Sequence, residues 1–211
     1  MNSRIDHIVI GASNLISGTN ILETKLNTKF SSGGDHQIMG THNNLLKLQS
    51  DIYIEVISNN PNVNKPSRQR WFSLDDTKTK EKIKHFPRPL SWVLEVDNIE
   101  ETVKKCGYNP GEIIKISRGK LTWKITVPST GRLVDNGVLP ALIEWPINQH
   151  PSKSLTNSKV LINKLSLFHP EKDKIKNIVS NLIKSDLISV SDGFPKIELN
   201  LTTQNGKVLI D

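Results

Sequence analysis

The chain has 211 residues, a formal net charge of +7, 36% hydrophobic and 23% charged residues, and a single cysteine, Cys106. That length can bury a substantial core in one or two domains, and the composition excludes a disordered chain, a disulfide scaffold and, with no apolar run near the roughly 20 residues that span a bilayer, a helical membrane protein. The lysines are dispersed, with no arginine-rich arm, zinc-ligand spacing or aromatic RNA-binding motif. The charge therefore reads as a Lys- and Asn-biased composition compatible with an anionic small molecule, not as a nucleic-acid site.

Residues Ile5 to Ala12 are rich in β-branched side chains and end at Gly11 and Ser13, which predicts a strand. No signal-peptide pattern precedes it, which together with the lone cysteine leads us to expect a cytoplasmic protein. Leu15, Ile16, Ile21, Leu22 and Leu26 recur at helical spacing. Strand-like runs follow at Lys29 to Met39, Thr41 to Gln49 and Ile52 to Ser58, broken at Gly33-Gly34, Gly40 and Ser50-Asp51. Residues 59–89 read as a linker rich in Pro, Asn and charge, in which Trp71 and Phe72 are expected to anchor it to the body of the protein. The pattern then restarts. Leu90 to Asp97 predicts a strand, and Asp97 with Glu100 three residues on predicts a capping box for a helix that ends at Lys104-Lys105 and Gly107. Glu112 to Ser117, Leu121 to Val127 and Leu142 to Ile147 predict three more strands. A third, shorter round begins after the polar stretch Asn148 to Ser158. It has a strand at Leu161 to Phe168, an amphipathic helix at Glu171 to Ile183, and strands near Ile188 to Val190 and Lys196 to Leu201.

The opening Ile5-Asp6-His7-Ile8-Val9-Ile10, with Gly40-Thr41-His42-Asn43, Tyr53-Ile54-Glu55-Val56-Ile57, Arg70-Trp71-Phe72 and Pro140-Ala141-Leu142-Ile143-Glu144-Trp145, resembles a glyoxalase-like family of the vicinal oxygen chelate superfamily. The resemblance implies an α+β fold in which two paired βαβββ modules, residues 4–58 and 90–147 joined by the linker 59–89, form a curled mixed sheet around a cavity. A shorter third βα unit follows in residues 148–211, packed on residues 1–147. In the metal enzymes of that superfamily, ligands come from the first and fourth strands of each module. Carried over, this gives His7 and Glu55 in the first module and Trp92 and Glu144 in the second.

Trp92 departs from the pattern, because indole has no lone pair for a metal. His7, Glu55 and Glu144 remain as a candidate set for one divalent ion, with Zn, Ni, Fe and Mn all compatible with its donors, and the absence of any metal equally open. His36 or His42 is the available complement. On the metal reading, Glu55 or Glu144 serves as general base. On the alternative, His7 and Glu55 hydrogen-bond each other and Glu144 pairs with Arg118 or a tryptophan N–H. Trp92, Arg118 and Trp123 are the candidate substrate-binding residues, Arg118 as a clamp for a carboxylate or phosphate. Alternation puts Ile5, His7 and Val9 on one face, Tyr53, Glu55 and Ile57 on one face, Leu90, Trp92 and Leu94 on one face, and Leu142 with Glu144. His42 and Asn43 are expected to cap a turn and Cys106 to be inert. The expected function is a metal-assisted lyase or isomerase acting on a carbonyl compound. The alternative is a metal-free protein that binds or sequesters a small molecule, and a dioxygenase ranks last because it needs two histidines and a carboxylate. A small-molecule ligand is the expected partner, with no nucleic acid or membrane, and a homodimer is compatible.

Overall fold

The protein is described from a computed structural model, over residues 3–211. Met1 and Asn2, which the sequence places just ahead of the first strand, lie outside the described residues. The first module runs β1 (Ser3–Gly11), α1 (Leu15–Leu26), β2 (Ser31–His36), β3 (Thr41–Lys47) and β4 (Tyr53–Asn59). The linker contains one short helix, α2 (Thr77–Lys82), capped by the Asp76 side chain. The second module repeats the order as β5 (Arg88–Val96), α3 (Ile99–Lys105), β6 (Glu112–Arg118), β7 (Leu121–Val127) and β8 (Ala141–Glu144). Asn98, not Asp97, caps α3. Its Oδ1 accepts from Glu101 N at 2.8 Å, three residues on, because the chain is still extended at Asn98.

The two modules make one eight-stranded sheet of order β2-β3-β4-β1-β5-β8-β7-β6. Strand β4 runs parallel to β1, β8 runs parallel to β5, and the central strands β1 and β5 are antiparallel. One module is thus related to the other by an approximate half-turn. The sheet curls until its two edge strands, β2 and β6, approach each other. The side chain of Arg118 on β6 passes close over Gly34 on β2, where φ is +132° and a Cβ would meet the arginine at 3.2 Å.

Two bulges interrupt the β1–β5 ladder, one at Asp6 and one at Leu90. Each inserts a residue and restarts the alternation of faces. Ile5 therefore packs on the convex side of the sheet while His7 and Val9 face the concave side, and Leu90 is concave while Trp92 and Leu94 are convex. Simple alternation, which puts each of these trios on one face, fails at the bulges.

The third unit is β9 (Leu161–Phe168), α4 (Lys172–Leu182), β10 (Ile188–Ser191), β11 (Lys196–Thr203) and β12 (Gly206–Ile210), in a second sheet of order β10-β9-β11-β12. Strand β10 lies parallel to β9, as β4 lies to β1, and β11 lies antiparallel to β9, as β5 lies to β1. The unit is a module without its two outer strands. Its apolar face, including Ile162, Leu165, Leu167, Leu199 and Leu201, joins one core with α1 and the convex side of the main sheet. A second core fills the concave side and takes in Trp71, Phe72, Leu74 and Ile83 from the linker. Burial on both sides explains why the central strands are apolar on both faces. Among the described residues no helix is long and apolar enough to cross a membrane.

Candidate functional site

On the concave side His7, His36, Tyr53, Glu55, Arg118 and Trp123 line a small cavity, closed further by Trp71, Phe72, Ile125, Ile143 and Trp145. It lies between the modules, with β1 to β4 on one side and β6 to β8 on the other.

The polar wall is one connected network. The Asp6 bulge turns its carboxylate to the same side as His7, and His7 Nδ1 is hydrogen-bonded to Asp6 Oδ1. His7 Nε2 faces Glu55 Oε2 at 3.3 Å, and the imidazole stacks on Tyr53 at 4.6 Å. Asn43 Nδ2 donates to Glu55 Oε1, and Asn43 Oδ1 accepts from Arg118 Nη1 at 3.1 Å. The amide has no choice of orientation here, since a carboxylate only accepts and a guanidinium only donates. Asp6, His7, Glu55, Asn43 and Arg118 thus link β1, β4 and β3 of the first module to β6 of the second. Asp6 also accepts from Trp145 Nε1 at 2.8 Å and pairs with His150 Nε2 at 3.0 Å, while His150 Nδ1 accepts from Ser152 N.

Burial sets the charges. For His7, desolvation opposes the cation, yet the hydrogen bonds to Asp6 and Glu55 outweigh it and raise the pKa to about 9. For Glu55, desolvation opposes ionisation, but His7, His36 and Asn43 bring the pKa down to about 2. Asp6 is likewise held well below the usual carboxylate range by His150 and His7, against the cost of burial. At neutral pH the site holds an imidazolium between two carboxylates. His36 is the opposite case. Its burial, with the positive charges of Arg118 and His7, lowers its pKa to about 4, so it is neutral. Arg118 Nη1 lies 3.5 Å from His36 Nε2, which must accept, so Nδ1 carries the proton toward Thr41 Oγ1 at 3.1 Å.

The structure brings together His7, Glu55, Arg118 and Trp123, and it does not bring Glu144 or Trp92 to them. Glu144 lies on the convex face of β8, where Oε2 accepts from Ile99 N at the start of α3 at 2.7 Å and Oε1 pairs with Lys124 at 3.1 Å. Its neighbours Ile143 and Trp145 face the cavity instead. Trp92 is fully buried in the core shared with the third unit, and its Nε1 donates to Val138 O at 2.8 Å. It is no wall of the cavity.

The set His7, Glu55 and Glu144 therefore does not fit a metal. One member is on the wrong face, and the other two, His7 Nε2 and Glu55 Oε2, face each other at 3.3 Å. His36 presents its lone pair to a guanidinium, and His42 Nε2 is engaged with Ser58 Oγ at 2.8 Å. Among the described residues the group that could hold a cation is Asp6, Glu95 and His150, whose ligand atoms lie within 4.8 Å of one another. None of the three lines the cavity, and each already has a protein partner, Glu95 pairing with Arg4 at 2.5 Å.

Asp6, Tyr53, Trp145 and His150 belong to the site but not to the residues singled out from sequence. A signal existed for Tyr53, which alternates with Glu55, and for Asp6, an acid beside a histidine in a buried strand. None existed for His150, which reaches the site from the turn after β8. Asn43, expected to cap a turn, is the amide that joins the two modules.

The model of the glyoxalase-like domain matches residues 5–183. The chain belongs to the glyoxalase-like domain family, within the vicinal oxygen chelate proteins that the paired modules define. Among solved structures it is similar to a hypothetical protein from Staphylococcus aureus, with 16% identity, 99% of this chain and 84% of that chain covered, and a TM-score of 0.57. It is also similar to a hypothetical protein from Bacillus halodurans (17%; 69% and 96%; TM-score 0.44) and to a methylmalonyl-CoA epimerase from Streptomyces coelicolor bound to 2-nitronate-propionyl-CoA (14%; 70% and 98%; TM-score 0.43). No curated protein sequence matches the chain.

Proposed function

We propose that this protein binds a small aromatic or short-chain carboxylate in the cavity between its modules, without a metal ion. The observation that supports this is Arg118. It enters a cavity that it shares with Glu55, His7 and several aromatic rings, lies over Trp123 at 5.8 Å from the ring centroid, and spends one Nη1 on Asn43 and His36, while Nε and Nη2 have no hydrogen-bond partner among the described residues. A guanidinium with an open edge is suited to a planar bidentate anion. Trp123, Trp145 and Trp71 supply flat apolar walls for the rest of the ligand. Glu55, ionised and doubly hydrogen-bonded with a pKa of about 2, is a poor proton acceptor at neutral pH. That favours binding over the lyase or isomerase reading, in which Glu55 is the base.

The test is calorimetry with phenylacetate on wild type and Arg118→Met, with and without a chelator. The expected result is binding by wild type, a loss of tenfold or more in the variant, consistent with about 1.5–3 kcal/mol for a charged hydrogen bond, and no effect of chelator. Equal affinities in the two proteins overturn the assignment of Arg118. Stoichiometric Zn, Ni, Fe or Mn retained by protein purified without chelator, and lost in His7→Ala and Glu55→Ala, would restore the metal-assisted enzyme.

A further inference from the structure

A second small cavity lies on the same concave side. Its lining includes Val127 and Ala141, whereas the first is lined by Ile125 and Ile143. These are residues two apart on β7 and on β8, so both cavities rest on the same face of the same two strands, one after the other. Trp71 and Phe72 line both. They are the partition.

The backbone at the partition is unusual. Phe72 and Ser73 have φ of 54° and 55°, and Leu74 N donates to Trp71 O at 3.2 Å. Two successive left-handed residues inside such a bond form a tight turn that Asn and Gly favour, and Phe is a poor choice for it. The turn is held in place from both sides of the trough. On the first-module side, Arg70 Nε donates to Gly40 O at 3.2 Å and Trp71 Nε1 to Thr41 Oγ1 at 3.2 Å. On the second-module side, Ser73 N donates to Gly131 O at 2.8 Å and Leu133 N to Ser73 Oγ at 2.8 Å. Gly131 is needed for this approach, because a Cβ there would lie 2.1 Å from Arg70 O. The surroundings thus impose on Phe72 a conformation its own side chain disfavours, and the result is a ring standing across the trough.

We propose that the two cavities are one ligand channel and that Phe72 sets the length of ligand it accepts, confining a carboxylate held by Arg118 to a single ring or a short chain. This rests on the reading of Arg118 as the anchor. Removing the ring opens the second compartment, with its apolar Val127, Leu133, Leu139 and Ala141, to the distal part of a longer ligand.

Calorimetry with phenylacetate and 4-biphenylacetate on wild type, Phe72→Gly and Ser73→Gly tests it. Wild type is expected to bind phenylacetate at least tenfold more tightly than biphenylacetate. Phe72→Gly should gain tenfold or more for biphenylacetate, and Ser73→Gly, which relaxes the same turn but keeps the ring, should retain wild-type selectivity. A smaller gain in Phe72→Gly, or wild type binding both acids equally, overturns the proposal. If Phe72→Gly shows no cooperative melting transition, Phe72→Leu carries the same expectation. If no variant binds either acid, the Arg118 reading fails and a xenon-pressurised crystal of the folded variant decides the partition. Xenon running continuously past position 72 supports one channel, and two sites still separated overturn it.

Discussion

The matched central strands of the two modules face the trough with different chemistry. Strands β1 and β4 present His7, Tyr53 and Glu55, whereas at the antiparallel partner of His7 strand β5 presents Val93, and β8 presents Ile143, with Trp145 just after its end. The polar residues of the second module, Trp92 and Glu144, are one position out of register and point to the convex side. A duplicated module can thus keep its topology and divide its labour, with the central strands of one half holding a charged network, to which the other half adds Arg118, and those of the other forming a wall of apolar and aromatic side chains. The two halves meet through Asn43 and Arg118.

The sharpest way to break this comparison is at Trp92. If it is core and not site, Trp92→Ala should lose about 3–5 kcal/mol in urea denaturation while phenylacetate affinity in the remaining folded protein changes less than twofold. Trp92→His should gain no metal affinity. A variant that stays stable but loses ligand would return Trp92 to the cavity.

Next in size is Asp6. Asp6→Asn leaves the His7 cation with Glu55 alone and should cost about 3 kcal/mol, the scale for breaking a buried charge pair. The His7 titration, followed by NMR, should fall from about 9 toward its ordinary value. An unmoved titration would show that Asp6 does not hold the proton.

The same network predicts how stability depends on pH. Glu55 is depressed to about 2 in the folded chain, so its contribution is present above its ordinary carboxylate pKa and is lost as pH falls toward 2. His7 is raised to about 9, so its contribution is present below the ordinary histidine pKa near 6.5 and is lost as pH rises through 9. The urea midpoint should therefore peak at about pH 5–6 and decline on both sides, and His7→Gln should flatten the alkaline limb. A midpoint unchanged between neutrality and pH 10 in wild type would contradict the buried imidazolium.

The smallest effect is expected at Glu144. Partly exposed and paired with Lys124 and a helix N–H, it should cost less than about 1 kcal/mol on change to Gln, with ligand affinity unaltered. A strong loss of binding would place it back in the site.

Much of the fold was legible because hydrophobic periodicity and turn residues are local. The spacing of Leu15 to Leu26 became α1 without change of bounds, as did Leu121 to Val127 and Leu161 to Phe168 as strands. The repeated strand–helix–three-strand order gave the two modules and the shorter third unit, the family resemblance implied their pairing into a curled sheet, and alternation put Tyr53, Glu55 and Ile57 on one face. What the sequence could not determine was which face. Leu142 and Glu144 do share a side, but that side became interior to the α3 and third-unit packing and not to the trough. Bulges at Asp6 and Leu90 broke the alternation of Ile5 with His7 and of Leu90 with Trp92, because a bulge arises from the fit between two strands and leaves no period in either. The packing of the third unit on the convex side made both faces of the central strands apolar, which erased the contrast that would have told inside from outside. Arg118, read from sequence as a candidate clamp for a carboxylate or phosphate, owes its place at the cavity to curvature. Only when the sheet closes enough for β6 to meet β2 and β3 does its guanidinium reach Asn43, 75 residues away in the chain.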